Sequence, residues 1–152
     1  MLLVLSTSRT SEEVLGYAVE KAAEAGVKLV ALYILEKELA EEVFDAFTDV
    51  GFIGDRPSVQ ITESLMKEYR QRGYEELGRL QIRTMEAGVD FDPLMEEGDY
   101  VTTVLDAMEG RDIGLAVLIK RRKRSFFKYF SKSLAEEVKE KAPCEVVIFE
   151  EE

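Results

Sequence analysis

Two rhythms of apolar and polar residues alternate along this chain. Short continuous apolar runs, Leu2–Leu5, Lys28–Leu35 and Ile113–Ile119, suit strands covered on both faces of a sheet. Between them, apolar positions recur at helical spacing. Val14, Ala18, Ala22 and Ala25 line one segment; Leu65, Tyr69, Gly73, Leu77, Leu80 and Thr84 line a long one. A third, Asp99–Glu109, turns Val101, Val104, Leu105 and Met108 inward. Punctuation agrees with these periods. Thr10 opposite Glu13 predicts a capping box, Ser58 is expected to cap the long helix, and Gly26, Gly88 and Gly110 suit helix ends. Glu38–Phe47 reads as a short helix before a Gly-rich turn, Val50–Pro57. Gly73 and Gly78 weaken the long helix by about 1 kcal/mol each relative to Ala. Val89–Met95 reads as a strand in which Pro93 suits a sheet edge, and Ser133–Ala142 and Glu145–Phe149 as a last helix and strand. Strands alternating with helices predict one α/β domain over residues 1–152, with right-handed crossovers.

Composition narrows the chemistry. The chain has no histidine, which removes the commonest general base and zinc ligand, so Ser-His-Asp hydrolysis and zinc catalysis are not expected. Its one cysteine, Cys144, cannot form an internal disulfide and has no histidine to activate it; a reducing cytoplasm is the expected compartment. No apolar run approaches the ~20 residues that span a bilayer. A formal charge of −11 argues against general nucleic-acid binding.

One segment departs from that acidity. Residues 120–132 carry seven Lys/Arg and no acid, leaving 13 basic against 31 acidic residues elsewhere. The run Lys120, Arg121, Arg122, Lys123 and Arg124 has three readings: a solvated loop, a docking surface for an acidic partner or dimer mate, or a contact with anionic lipid or nucleic acid. Phe126, Phe127, Lys128, Tyr129 and Phe130 follow, an aromatic cluster that suits an interface, a core flap or a membrane-inserting tip. The segment follows a strand and leads into a helix, where open α/β proteins hold phosphates, yet it contains no glycine. A second candidate anion site is the turn Ser6-Thr7-Ser8-Arg9, and Ser133 opens the last helix in a capping box with Glu136; ordinary capping is the favoured reading of both. Asp90 and Asp92 share a strand face and suit either a cation or a charged edge.

The opening LLVLSTSRTSEEVLGYAVEKA, the junction MEEGD at 95–99 and the ending SLAEEVKEKAPCEVVIF resemble the universal stress protein family across the whole chain. The resemblance implies a three-layer, Rossmann-like sheet of five parallel strands in order 3-2-1-4-5, akin to adenine nucleotide alpha hydrolases, and a homodimer paired through Glu145–Phe149. It places the loops after Leu5 and Ile119 on either side of a ligand crevice. ATP-binding members carry an Asp after the first strand and the series Gly, two residues, Gly, nine residues, Gly-Ser/Thr after the fourth. Here the Asp position falls near Ser6, and the glycine positions fall on Ile119, Arg122 and Lys132, with only Ser133 retained. Side chains there obstruct the approach of backbone N–H groups to phosphate. The expectation is a non-catalytic regulatory or adaptor protein with a degenerate nucleotide pocket. The alternative is a module for ATP or another phosphorylated metabolite, held by Ser6, Thr7, Ser8, Lys120, Arg121, Arg122, Lys132 and Ser133. No metal and no catalytic residue is expected.

Overall fold

The computed structural model describes residues 1–36, 55–121 and 133–150, with the backbone alone for 55–61. The predicted short helix Glu38–Phe47, the start of the Gly-rich turn and the candidate residues 122–132 lie outside the described residues.

Nine elements follow one another: β1 (Leu2–Ser6), α1 (Glu12–Ala25), β2 (Leu29–Leu35), α2 (Asp55–Ala87), β3 (Phe91–Glu97), α3 (Tyr100–Met108), β4 (Leu115–Lys120), α4 (Leu134–Lys141) and β5 (Glu145–Glu150). The strands form one parallel sheet in the order β3-β2-β1-β4-β5, as the resemblance implies. Every residue of β1 and β2 is buried, which explains their unbroken apolar sequence. Alternate strand residues feed two cores. Leu3, Leu5, Ala31, Tyr33, Val117 and Ile119 pack under α1 and α2. Leu2, Val4, Leu32, Ile34, Ala116 and Leu118 pack under α3 and α4. Among the described residues, no helix is long and apolar enough to cross a membrane.

Two predicted caps move. Ser11, not Thr10, is the N-cap of α1, its Oγ accepting from the Val14 N–H at 3.4 Å. The preceding residues are taken up by a tight turn, in which Ser6 and Arg9 exchange backbone hydrogen bonds of 3.1 Å, so the helix starts one residue later. The long helix α2 begins at Asp55, which leaves Ser58 inside its first turns rather than at the cap. Gly73 is a packing requirement as well as a helix-propensity cost. A Cβ there would lie 2.8 Å from Tyr33 Cδ1 and 2.6 Å from Met95 Cε, so its absence lets α2 sit close on the sheet. Pro93 does lie on an edge strand, β3.

The pairing pattern opens the sheet at one place. β1 pairs with β2 over five residues and β4 with β5 over six, but β1 and β4 pair only at Leu2–Ala116 and Leu3–Val117. Beyond those residues the two central strands part, at the point where the chain reverses its winding direction. In an open α/β sheet such a point, at the carboxyl ends of the strands, is where a ligand crevice is expected.

Candidate functional site

One wall of the crevice is the turn after β1, and it is closed onto β2. The Thr7 N–H donates to the Ile34 carbonyl at 3.3 Å, and the Glu36 N–H reaches the Thr7 hydroxyl at 3.5 Å. These contacts bring the Glu36 side chain back over the turn. Its Oε1 accepts from the Ser8 N–H at 3.2 Å and from the Ser8 hydroxyl at 2.8 Å, with Oε2 3.0 Å from the same hydroxyl. Arg9 Nη1 donates to Oε1 at 2.9 Å and to the hydroxyls of Ser6 and Ser8 at 3.4 and 3.3 Å. The anion on the predicted Ser6-Thr7-Ser8 site is therefore the protein's own carboxylate.

This pair is buried: the Arg9 and Glu36 side chains are 9% and 12% exposed. Burial alone would raise the Glu36 pKa, but the hydroxyls of Ser6 and Ser8, the Ser8 amide and the Arg9 charge outweigh it and hold the carboxyl below its ordinary range. Arg9 also lies over the Tyr100 ring, 4.5 Å from its centroid, at the first residue of α3. Burial raises the Tyr100 pKa, and its hydroxyl has no hydrogen-bond partner among the described residues. On the other side of the sheet Tyr33 is pushed up to about 12, chiefly by burial, with a hydrogen bond to Thr7 opposing.

The opposite wall is built at the end of β4. Ile119, in the first of the family's glycine positions, is fully buried in the core, and its side chain fills space that a glycine would leave open. Lys120 faces α4, where its Nζ donates to Glu136 Oε1 at 2.9 Å; that bond raises its pKa. Arg121 is exposed. Ser133 is the N-cap of α4, its Oγ accepting from the Glu136 N–H at 3.1 Å. The predicted cap holds. The Glu136 carboxylate receives the Lys120 ammonium.

Sequence reading missed Glu36, Arg9 and Tyr100 as members of one cluster. Asp90 and Asp92 prove unremarkable as a pair: Asp90 precedes β3, and Asp92 lines a cavity of about 840 Å³ at the amino ends of the strands, opposite the crevice. Among the described residues, no three acidic or cysteine side chains gather as a metal site. Cys144 is half-buried, and burial pushes its thiol up against the pull of the N-terminal ammonium.

The sequence profile described as the universal stress protein family matches residues 1–150. The chain belongs to the universal stress protein family. Solved structures agree in fold. Universal stress protein UspA from Lactobacillus plantarum is 17% identical, with 98% of this chain and 97% of that one covered and a TM-score of 0.68. A universal stress protein in complex with cAMP is 15% identical, with coverage of 99% and 96% and a TM-score of 0.61. A family protein from Arabidopsis thaliana with AMP bound is 10% identical, with coverage of 100% and 92% and a TM-score of 0.53. No curated protein matches the chain significantly.

Proposed function

We propose that this universal stress protein acts as a non-catalytic regulatory or adaptor protein whose nucleotide crevice is degenerate. The observation that carries the reading is the Glu36 carboxylate held by Arg9, Ser6 and Ser8 at the wall after β1. A fixed negative charge there repels phosphate, and the buried Ile119 side chain stands where a phosphate-binding member has glycine. Two cations that the sequence assigned to the crevice or placed beside it, Lys120 and Arg9, already have carboxylate partners. With no histidine in the chain, hydrolysis lacks its commonest general base.

On this reading the basic aromatic stretch, Arg121–Arg124 with Phe126, Phe127, Lys128, Tyr129 and Phe130, is an interaction surface for an acidic partner. β5 lies at a sheet edge with one free row of backbone groups, which supports pairing of two copies through Glu145–Phe149. The composition supports a cytoplasmic site of action.

A second reading keeps a nucleotide ligand. Two fold relatives have cAMP or AMP bound, and the short pairing of β1 with β4 leaves room for a ligand at the point where the winding direction reverses. Calorimetric titration of the purified protein with ATP and with AMP separates the two. No saturable heat at micromolar to submillimolar nucleotide is expected. Saturable micromolar binding of either would overturn the degenerate-pocket reading in favour of the second.

A further inference from the structure

The Glu36 cluster has the parts of a binding site rather than of a surface ion pair. A cation is buried to more than nine-tenths, at 7% residue exposure, on the carboxyl side of the sheet. Around it converge the Ser6 and Ser8 hydroxyls, both accepting from its Nη1, and the Ser8 hydroxyl and N–H also donate to the Glu36 carboxylate. The aromatic face of Tyr100 backs the guanidinium, and the hydroxyl of that same buried ring has no partner among the described residues. Such donors around a buried arginine form an oxyanion receptor.

Its present occupant uses the receptor incompletely. Every described hydrogen bond from Arg9 leaves through Nη1, and its contact with Glu36 is through Oε1 alone. The pair is thus monodentate, whereas a guanidinium offers five donors in a fork that matches carboxylate and phosphate bidentately. Glu36 gains from being tethered: a group on the same chain acts at an effective concentration of about millimolar or more, without the entropic cost of capture.

We propose that the turn Ser6–Arg9 with Tyr100 is a receptor for a small oxyanion, a carboxylate or phosphate group, and that Glu36 is its built-in competitor. Filled by Glu36, the receptor excludes external anions. When the Glu36 charge is removed, Arg9, Ser6 and Ser8 accept a carboxylate or phosphate from solution. The inference does not depend on nucleotide binding, since it concerns inorganic anions at one subsite and is tested without nucleotide.

The test uses wild type, Glu36→Ala, Glu36→Gln and the charge-balanced Arg9→Gln/Glu36→Gln double variant. Each is titrated with sodium acetate and sodium phosphate at constant ionic strength, with chloride as the control. Thermal unfolding and calorimetry are the readouts. Glu36→Ala is expected to melt below wild type and to regain part of that loss saturably with acetate or phosphate. Glu36→Gln is expected to bind phosphate at least about tenfold more tightly than wild type, one tenfold step corresponding to about 1.4 kcal/mol. The double variant should show neither response. A folded Glu36→Ala or Glu36→Gln protein with no saturable anion response overturns the proposal, as does an equal response in the double variant. If Glu36→Ala fails to fold at any anion concentration, Glu36→Gln decides the matter alone: without phosphate binding tighter than wild type, the receptor does not exist.

Discussion

The ion pairs at the carboxyl ends of β1 and β4 look alike and are energetically different. Each lies at or just past the end of a central strand, ahead of a serine-capped helix, and joins a cation to a glutamate at 2.9 Å. The Arg9 and Glu36 side chains are 9% and 12% exposed; those of Lys120 and Glu136 are 29% and 44%. Equal distance therefore conceals unequal consequence. Water solvates either member of the second pair when its partner is lost, but has little access to the first.

The largest effect should come from splitting the buried pair. Glu36→Ala leaves Arg9 charged and desolvated, and should lower stability by about 3–5 kcal/mol. Urea unfolding with an unchanged m-value would check it. A loss below about 1 kcal/mol would erase the contrast between the two pairs, because that is the range of an exposed pair. Removing both charges together should cost much less than removing one, since most of the single-variant penalty is the stranded charge.

Acid should reach the same pair by another route. The Glu36 pKa is lowered in the folded protein relative to the unfolded chain, where a glutamate titrates near about 4.3. Folded protein then binds fewer protons than unfolded across that interval. The stabilisation is fully present above the unfolded value and is lost as pH falls through the folded one. Thermal midpoints of wild type and Glu36→Gln, measured from neutral to acidic pH, should therefore converge on acidification. A constant gap would mean that Glu36 contributes by shape rather than charge.

The caps give a smaller comparison. Ser133 is buried and accepts from Glu136 N–H at 3.1 Å, whereas Ser11 is half-buried and its contact with Val14 N–H is 3.4 Å. Ser133→Ala should cost about 1 kcal/mol and Ser11→Ala about 0.5 kcal/mol, readable as unequal shifts in denaturation midpoint.

These differences explain which parts were legible in the sequence. Strands β1, β2 and β4 are buried on both faces, so their apolar runs announced them; Ser133 announced α4 because capping is a local interaction over three residues. The strand order came with the family resemblance. Glu36 and Arg9 are 27 residues apart, and nothing between them signals contact. Their meeting depends on the register that sets Ser6 beside Ile34. Arginine is ordinarily a surface residue, so a buried Arg9 runs against its usual placement. Gly73 was misleading for the same reason: locally it weakens a helix, while the need for it lies across the interface in Tyr33 and Met95. Local chemistry was readable, and contacts made by distant segments were not.

The smallest prediction marks the lower limit of the comparison. Lys120→Met removes the charge but keeps an unbranched stem to lie along the sheet, so it isolates the ion pair from packing. With both partners near solvent, the loss should be about 0.2–1 kcal/mol at low salt. It should fade in ~1 M salt, where the screening length is about 3 Å. The Glu36→Ala penalty should persist in a non-coordinating salt of the same strength, because ions do not screen a pair they cannot approach. Denaturation curves for both variants at low and high sodium chloride make the distinction directly. If the Lys120 effect survived salt undiminished, the end of β4 would hold its cation in a desolvated setting too. The two walls of the crevice would then be built on the same principle.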